Sequence, residues 1–183
     1  MYEKELFKTA NTTATFIVVS NFGNSVEKED GGRPTEFNKL VYIIIQRDEN
    51  NKALKTLKFW QDTKDALYMM HLINQGVLTS LVDKDGMKVP KMKVNEFKRT
   101  KKGDRAFSVE AKKTDQGTKL RFGISLKNSD GDKDGLYFDL DILMAKKMAY
   151  EIHMFIECYM QAKINQELME ETLKGFFTKK TDS

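Results

Sequence analysis

Polar and apolar residues alternate through several short stretches of the chain, a period of two that sends successive side chains to opposite faces of a strand. They belong to a set of runs rich in β-branched or aromatic side chains, residues 15–20, 39–47, 53–60, 87–98, 105–113, 119–127 and 135–140, several of which alternate. Turn chemistry separates them: Gly23-Asn24, Gly31-Gly32, residues 48–51, Asp85-Gly86, Gly103-Asp104, Gln116-Gly117 and Asp130-Gly131. Short strands joined by such turns predict antiparallel meanders. Two segments follow a helical period instead. Residues 61–75 place Ala66, Met69, Met70 and Ile73 on one face, with Asp62 positioned as a cap and Gly76 just beyond the end. Residues 141–173 predict a longer helix, its apolar face drawn from Leu143, Ala145, Met148, Ile152, Phe155, Ile156 and Tyr159, with Asp139 or Asp141 near its start.

The order of these pieces recurs. Lys39-Leu40-Val41-Tyr42-Ile43-Ile44 aligns with Lys119-Leu120-Arg121-Phe122-Gly123-Ile124 at an offset of 80 residues. In both copies a polar turn follows, then a strand containing Phe59-Trp60 or Tyr137-Phe138, then Asp62 or Asp141 opening a helix that carries His71 or His153. The expectation is an α+β fold of two antiparallel sheet-plus-helix repeats of the ββββα kind, approximately residues 12–76 and 84–170. They would pack as one compact domain over residues 1–183, with a long C-terminal helix.

Composition narrows the chemistry. A chain of 183 residues, 40% of them hydrophobic, can bury a core without covalent staples. The single Cys158 cannot close an intrachain disulfide; it lies in the apolar run 153–160, where a thiol is expected to pack as a small hydrophobe, and it suits a reducing, cytoplasmic setting. No apolar run approaches the ~20 residues of a membrane span, so no membrane partner is expected. Two histidines and one cysteine are too few for a His/Cys metal centre, and CxxC, HExxH and GxSxG motifs are absent. Residues 130–135 carry three aspartates but lack the glutamate and flanking helices of a calcium loop, and predict a hairpin turn. His71 and His153 are expected to be ordinary helix histidines, and Trp60 to seal the first helix against its sheet. The ten methionines, grouped largely on the helices, suit adaptable packing or a subunit interface. No catalysis, metal or cofactor is expected.

Charge is distributed unevenly. The formal net charge is only +4, yet residues 84–127 hold 14 basic against five acidic residues, a net +9 that leaves −5 for the remainder. Such a field attracts a polyanion. The candidate contacts are Lys91, Lys93, Lys98, Arg99, Lys101, Lys102, Arg105, Lys112, Lys113, Lys119 and Arg121, the densest group lying around the turn at Gly103. Phe107 joins them as a ring able to stack a base if it faces outward; Phe97 and Phe122 are interleaved similarly, and an inward, core position is the alternative for all three.

A twofold sheet-plus-helix repeat in a chain of this size resembles the Whirly and PUR-repeat group of single-stranded nucleic-acid-binding proteins. The resemblance is architectural and covers about residues 15–160. The Lys-Gly-Lys-Ala strand motif of plant Whirly proteins is absent, so no family residue is carried over by position. The resemblance implies a non-catalytic protein that binds single-stranded nucleic acid on its sheets and forms homo-oligomers through its helices; of DNA and RNA, DNA is the expected ligand. The competing reading is a protein-interaction or regulatory module without nucleic acid.

Overall fold

In a computed structural model the chain is described over residues 2–26, 35–80, 92–93, 98–100, 103–127 and 133–178. Strands β1 (Tyr2–Ala10), β2 (Ala14–Val26), β3 (Thr35–Arg47) and β4 (Ala53–Asp62) pair in sequence order as an antiparallel meander, followed by helix α1 (Thr63–Asn74) and the single turn α2 (Val77–Ser80). The short strands β5 (Met92–Lys93) and β6 (Lys98–Thr100) both pair with β7 (Gly103–Thr114), which continues through β8 (Gly117–Lys127) to β9 (Lys133–Asp141) as the second sheet. Helix α3 (Ile142–Thr178) closes the order, and the fold class is the expected α+β. None of the described helices is long and apolar enough to cross a membrane.

The two sheets share a register. Tyr42 stands between Val18 and Phe59 across its neighbouring strands, and Phe122 between Val109 and Phe138; Lys39 faces Asp62 as Lys119 faces Asp141. Alternation sends Phe16, Tyr42 and Phe59 inward from the first sheet to meet Phe107, Phe122 and Phe138 from the second. Ring centroids lie 5.1 Å apart for Phe16 and Phe122, 4.3 Å for Tyr42 and Phe107, and 5.8 Å for Phe16 and Phe138. Offset stacking at these distances adds to the area term. Tyr42 is fully buried, and burial holds its phenol well above its ordinary ionisation range, so the group is neutral.

The helices cover the rest of the core. Ala66, Met69, Met70 and Ile73 are the buried face of α1, as the spacing predicts, and Gly76 leaves the helix at φ 69°, a left-handed conformation that costs glycine nothing. On α3 the buried face is Ala145, Met148, Ala149, Ile152 and Ile156, with Phe155 and Tyr159 packed at its margin against Phe22. Leu143 is not part of it: the residue is 80% exposed, because it sits two residues, about 200° of helical rotation, before buried Ala145. Cys158 is likewise exposed rather than packed, since it sits two residues, about 200° of helical rotation, from buried Ile156. Beyond Tyr159 no described side chain of α3 is buried.

β1 lies in a segment for which no strand is expected. Its alternation is broken by a bulge between Glu5 and Phe7 that leaves Leu6 and Phe7 adjacent in sequence, so a strict period of two cannot be read through it. Much of the expected strand at residues 87–98 and the turn at Asp130-Gly131 lie outside the described residues.

Candidate nucleic-acid interface

Because Phe107, Val109, Leu120, Phe122, Ile124, Leu136, Phe138 and Leu140 are buried, the alternate residues of β7, β8 and β9 form the outer face of the second sheet. Register arranges them in rows: Ser108, Gly123 and Tyr137; then Glu110, Arg121 and Asp139; then Lys112, Lys119 and Asp141. Lys112 and Lys119 are therefore cross-strand neighbours, brought together by the sheet. Lys119 donates to the Gln116 side chain at 3.0 Å, which holds it over the β7–β8 turn. Lys113 is exposed on the opposite parity, at the end of β7 where it pairs with Thr118.

Arg121 is engaged. Its Nε and Nη2 donate to the two carboxylate oxygens of Asp139 at 2.7 and 2.8 Å, the bidentate geometry in which guanidinium and carboxylate match best. The Arg121 hydrogen bonds hold the Asp139 carboxyl below its ordinary range, and the same contact raises the guanidinium. Lys112 and Lys119 add to the lowering at Asp139. The described charged side chains of this face thus come close to balance: Lys112, Lys119, Arg121 and Lys127 against Glu110, Asp139 and Asp141. Counting along residues 84–127 misses this, because two of those carboxylates arrive from β9.

Arg105 has a different partner. It reaches the free edge of β4, where its Nη1 donates to the Lys58 carbonyl at 3.0 Å and its guanidinium lies 5.6 Å from the centre of the Trp60 ring. Trp60 stands on the outer face of the first sheet, 38% exposed and opposite Val41, so it does not seal α1; the inward positions beside it belong to Phe59 and Gln61.

Phe107 is removed from the candidate set. Its ring is fully buried, stacked on Tyr42 and 5.5 Å from Phe59, and offers no face to a base. Phe122 is core for the same reason, and Phe97 lies outside the described residues. Lys93 is placed opposite Ser108, and Lys98 and Arg99 opposite Arg105 and Asp104; Lys91, Lys101 and Lys102 lie outside the described residues.

The exposed ring that this face does carry is Tyr137, which is 53% exposed. A Cβ on Gly123 would come within 2.9 Å of Tyr137 Cδ1 and Cε1, and one on Gly135 within 3.2 to 3.4 Å of its Oη, Cε2 and Cζ. The ring therefore lies across both glycines, flat on the strands, with the Arg121 guanidinium 5.6 Å from its centre. The signal was present in sequence: Tyr137 shares its parity with Gly135 and Asp139, both solvent-side residues, whereas Phe107 shares its parity with Val109.

No known protein-family profile matches the chain, and no curated protein sequence matches it. Solved structures do. WHY1 from Arabidopsis thaliana is 12% identical, with 84% of this chain and 88% of that one covered at a TM-score of 0.53. The plant transcriptional regulator PBF-2 is 9% identical, with 91% and 88% covered at 0.60. WHY3 from Arabidopsis thaliana is 11% identical, with 81% and 83% covered at 0.50. These structural neighbours are Whirly proteins, and over more than four-fifths of its length the chain has their fold.

Proposed function

We propose that the chain is a non-catalytic single-stranded nucleic-acid-binding protein, its ligand DNA rather than RNA, that works as a homo-oligomer joined through its helices in a reducing cytoplasm. The observation that carries the reading is the likeness of nearly the whole chain to Whirly structures, one of them a plant transcriptional regulator. Fold supplies function by analogy, and the distribution of charge supports it independently. The +9 segment includes the cross-strand neighbours Lys112, exposed, and Lys119, half-buried, on the outer face of the second sheet. Lys91, Lys93, Lys98, Arg99, Lys101 and Lys102 extend that segment, and Arg105 and Arg121 add cations already engaged by Lys58 and Asp139. The shared register of Lys39 with Asp62 and Lys119 with Asp141 supports two repeats of one unit within a single domain. An exposed, unpaired Cys158 suits a reducing compartment.

Polarisation titrations with a labelled mixed-sequence oligonucleotide at two salt concentrations test the reading. Binding is expected to weaken with salt and to be displaced far better by unlabelled single strand than by duplex. Equal displacement by duplex refutes the single-strand preference, and no binding at low salt refutes the function. The second reading, a protein-interaction module, is favoured by one observation, the exposed apolar residues of α3.

A further inference from the structure

We infer that Tyr137, laid over Gly123 and Gly135, is the floor of a site for one unpaired nucleobase. The inference rests on the single-strand reading above and assigns it a contact point. Exposed tyrosines are common on strands, so exposure alone carries little. The two glycines carry more. Both occupy strand interiors, where glycine costs about 0.5–1 kcal/mol relative to alanine and packs nothing, and both lie under the ring. The first sheet has Ile43 directly after Tyr42, where the second has Gly123 after Phe122. Replacing a branched side chain by hydrogen at this one place lets the ring lie down rather than stand up. The phenol then rests against backbone, and the residue stays 53% exposed with the Arg121 guanidinium over part of its ring.

Its neighbours suit a base rather than a peptide or a lipid. Arg121, clamped by Asp139, lies over the ring with its guanidinium carbon 5.6 Å from the centroid, a planar cation beside which a base can continue the stack, while Ser108 stands across Gly123 in the same row with its hydroxyl 2.9 Å from where a Gly123 Cβ would be. A small-residue floor beside a flat ring admits a planar heterocycle, and a serine hydroxyl serves either a donor or an acceptor on its edge. Lys112 and Lys119 lie two rows along the same face, within reach of the sugar-phosphate chain entering or leaving the site.

Two ligands of equal length separate stacking from charge: fluorescent oligothymidylate and an abasic deoxyribose-phosphate oligomer. Tyr137→Leu, and Gly123→Ala with the ring intact but lifted, are expected to weaken oligothymidylate binding by roughly 5- to 150-fold, the range that corresponds to a stacking contact. Both variants should bind the abasic oligomer like the parent, and Tyr137→Phe should match the parent on both ligands. Parent binding with an undiminished Tyr137→Leu, or a loss equal on the two ligands, overturns the base site and leaves single-strand binding standing. A parent that binds neither ligand overturns both. Should either variant fail to fold, the unaltered chain answers: irradiation with a 5-iodouracil oligonucleotide is expected to crosslink Tyr137, and crosslinks confined to other residues overturn the site.

Discussion

Arg121 and Asp139 show how a single pair can reverse the meaning of a charge. By sequence position Arg121 is a candidate phosphate contact; in the sheet it is chelated by a carboxylate from the next strand. Asp139→Asn removes that carboxylate and is expected to tighten oligonucleotide binding and steepen its salt dependence by about 0.7 in the log–log slope, one phosphate contact on a single strand. Stability should change by less than about 1 kcal/mol at neutral pH, because both partners are more than a quarter exposed and solvent screens them. The sign of the pH effect follows from the lowered Asp139 carboxyl. Its contribution is full above the unfolded carboxylate range near pH ~4 and disappears as pH falls through the lower folded value, so urea melts of parent and variant should converge in acid. The pairing was not legible in the sequence, since 18 residues separate the partners and only the register of β8 with β9 sets them opposite each other. Tyr137 was legible, because parity alone places it outward.

At the scale of elements, the helical and alternating periods locate α1 and α3 and most long strands because each has one face committed to the core. They fail where an element lacks a clean period. β1 is interrupted by its bulge, and α3 is apolar on two sides, so its inward face was drawn too wide. Opposite its buried ridge α3 exposes Leu143, Tyr150, Met154, Ile164 and Leu168, spaced by intervals compatible with a heptad seam. Lys146 and Lys147 flank this stripe near one end and Glu167 and Glu171 near the other. An antiparallel pairing of two copies would set each basic end against an acidic one. Sedimentation of the parent at tens of micromolar is expected to show a dimer or larger assembly, and Ile164→Glu with Leu168→Glu to yield a monomer with an unchanged circular-dichroism spectrum. A monomeric parent removes the interface. The substitutions spare the fold because neither side chain touches the core.

Across the whole molecule, the uneven charge was legible from counting, but its placement was not. The described outer face of the second sheet is within one charge of balance, and an excess of +5 belongs to residues 84–104. Replacing Lys98, Arg99, Lys101 and Lys102 by alanine is therefore expected to lower the salt slope by up to about 2.8, and replacing Lys112 and Lys119 by at most about 1.4, at ~0.7 per contact. Comparing the two slopes at equal ligand length checks the order; a larger loss from the pair places the ligand path along β7 and β8 instead. Arg105 belongs to neither group. Seated against the Lys58 carbonyl, it occupies an acceptor on the open margin of β4, where another backbone could otherwise dock. The residue acts there as a stopper: a strand added along β4 would first have to displace Arg105 from that carbonyl.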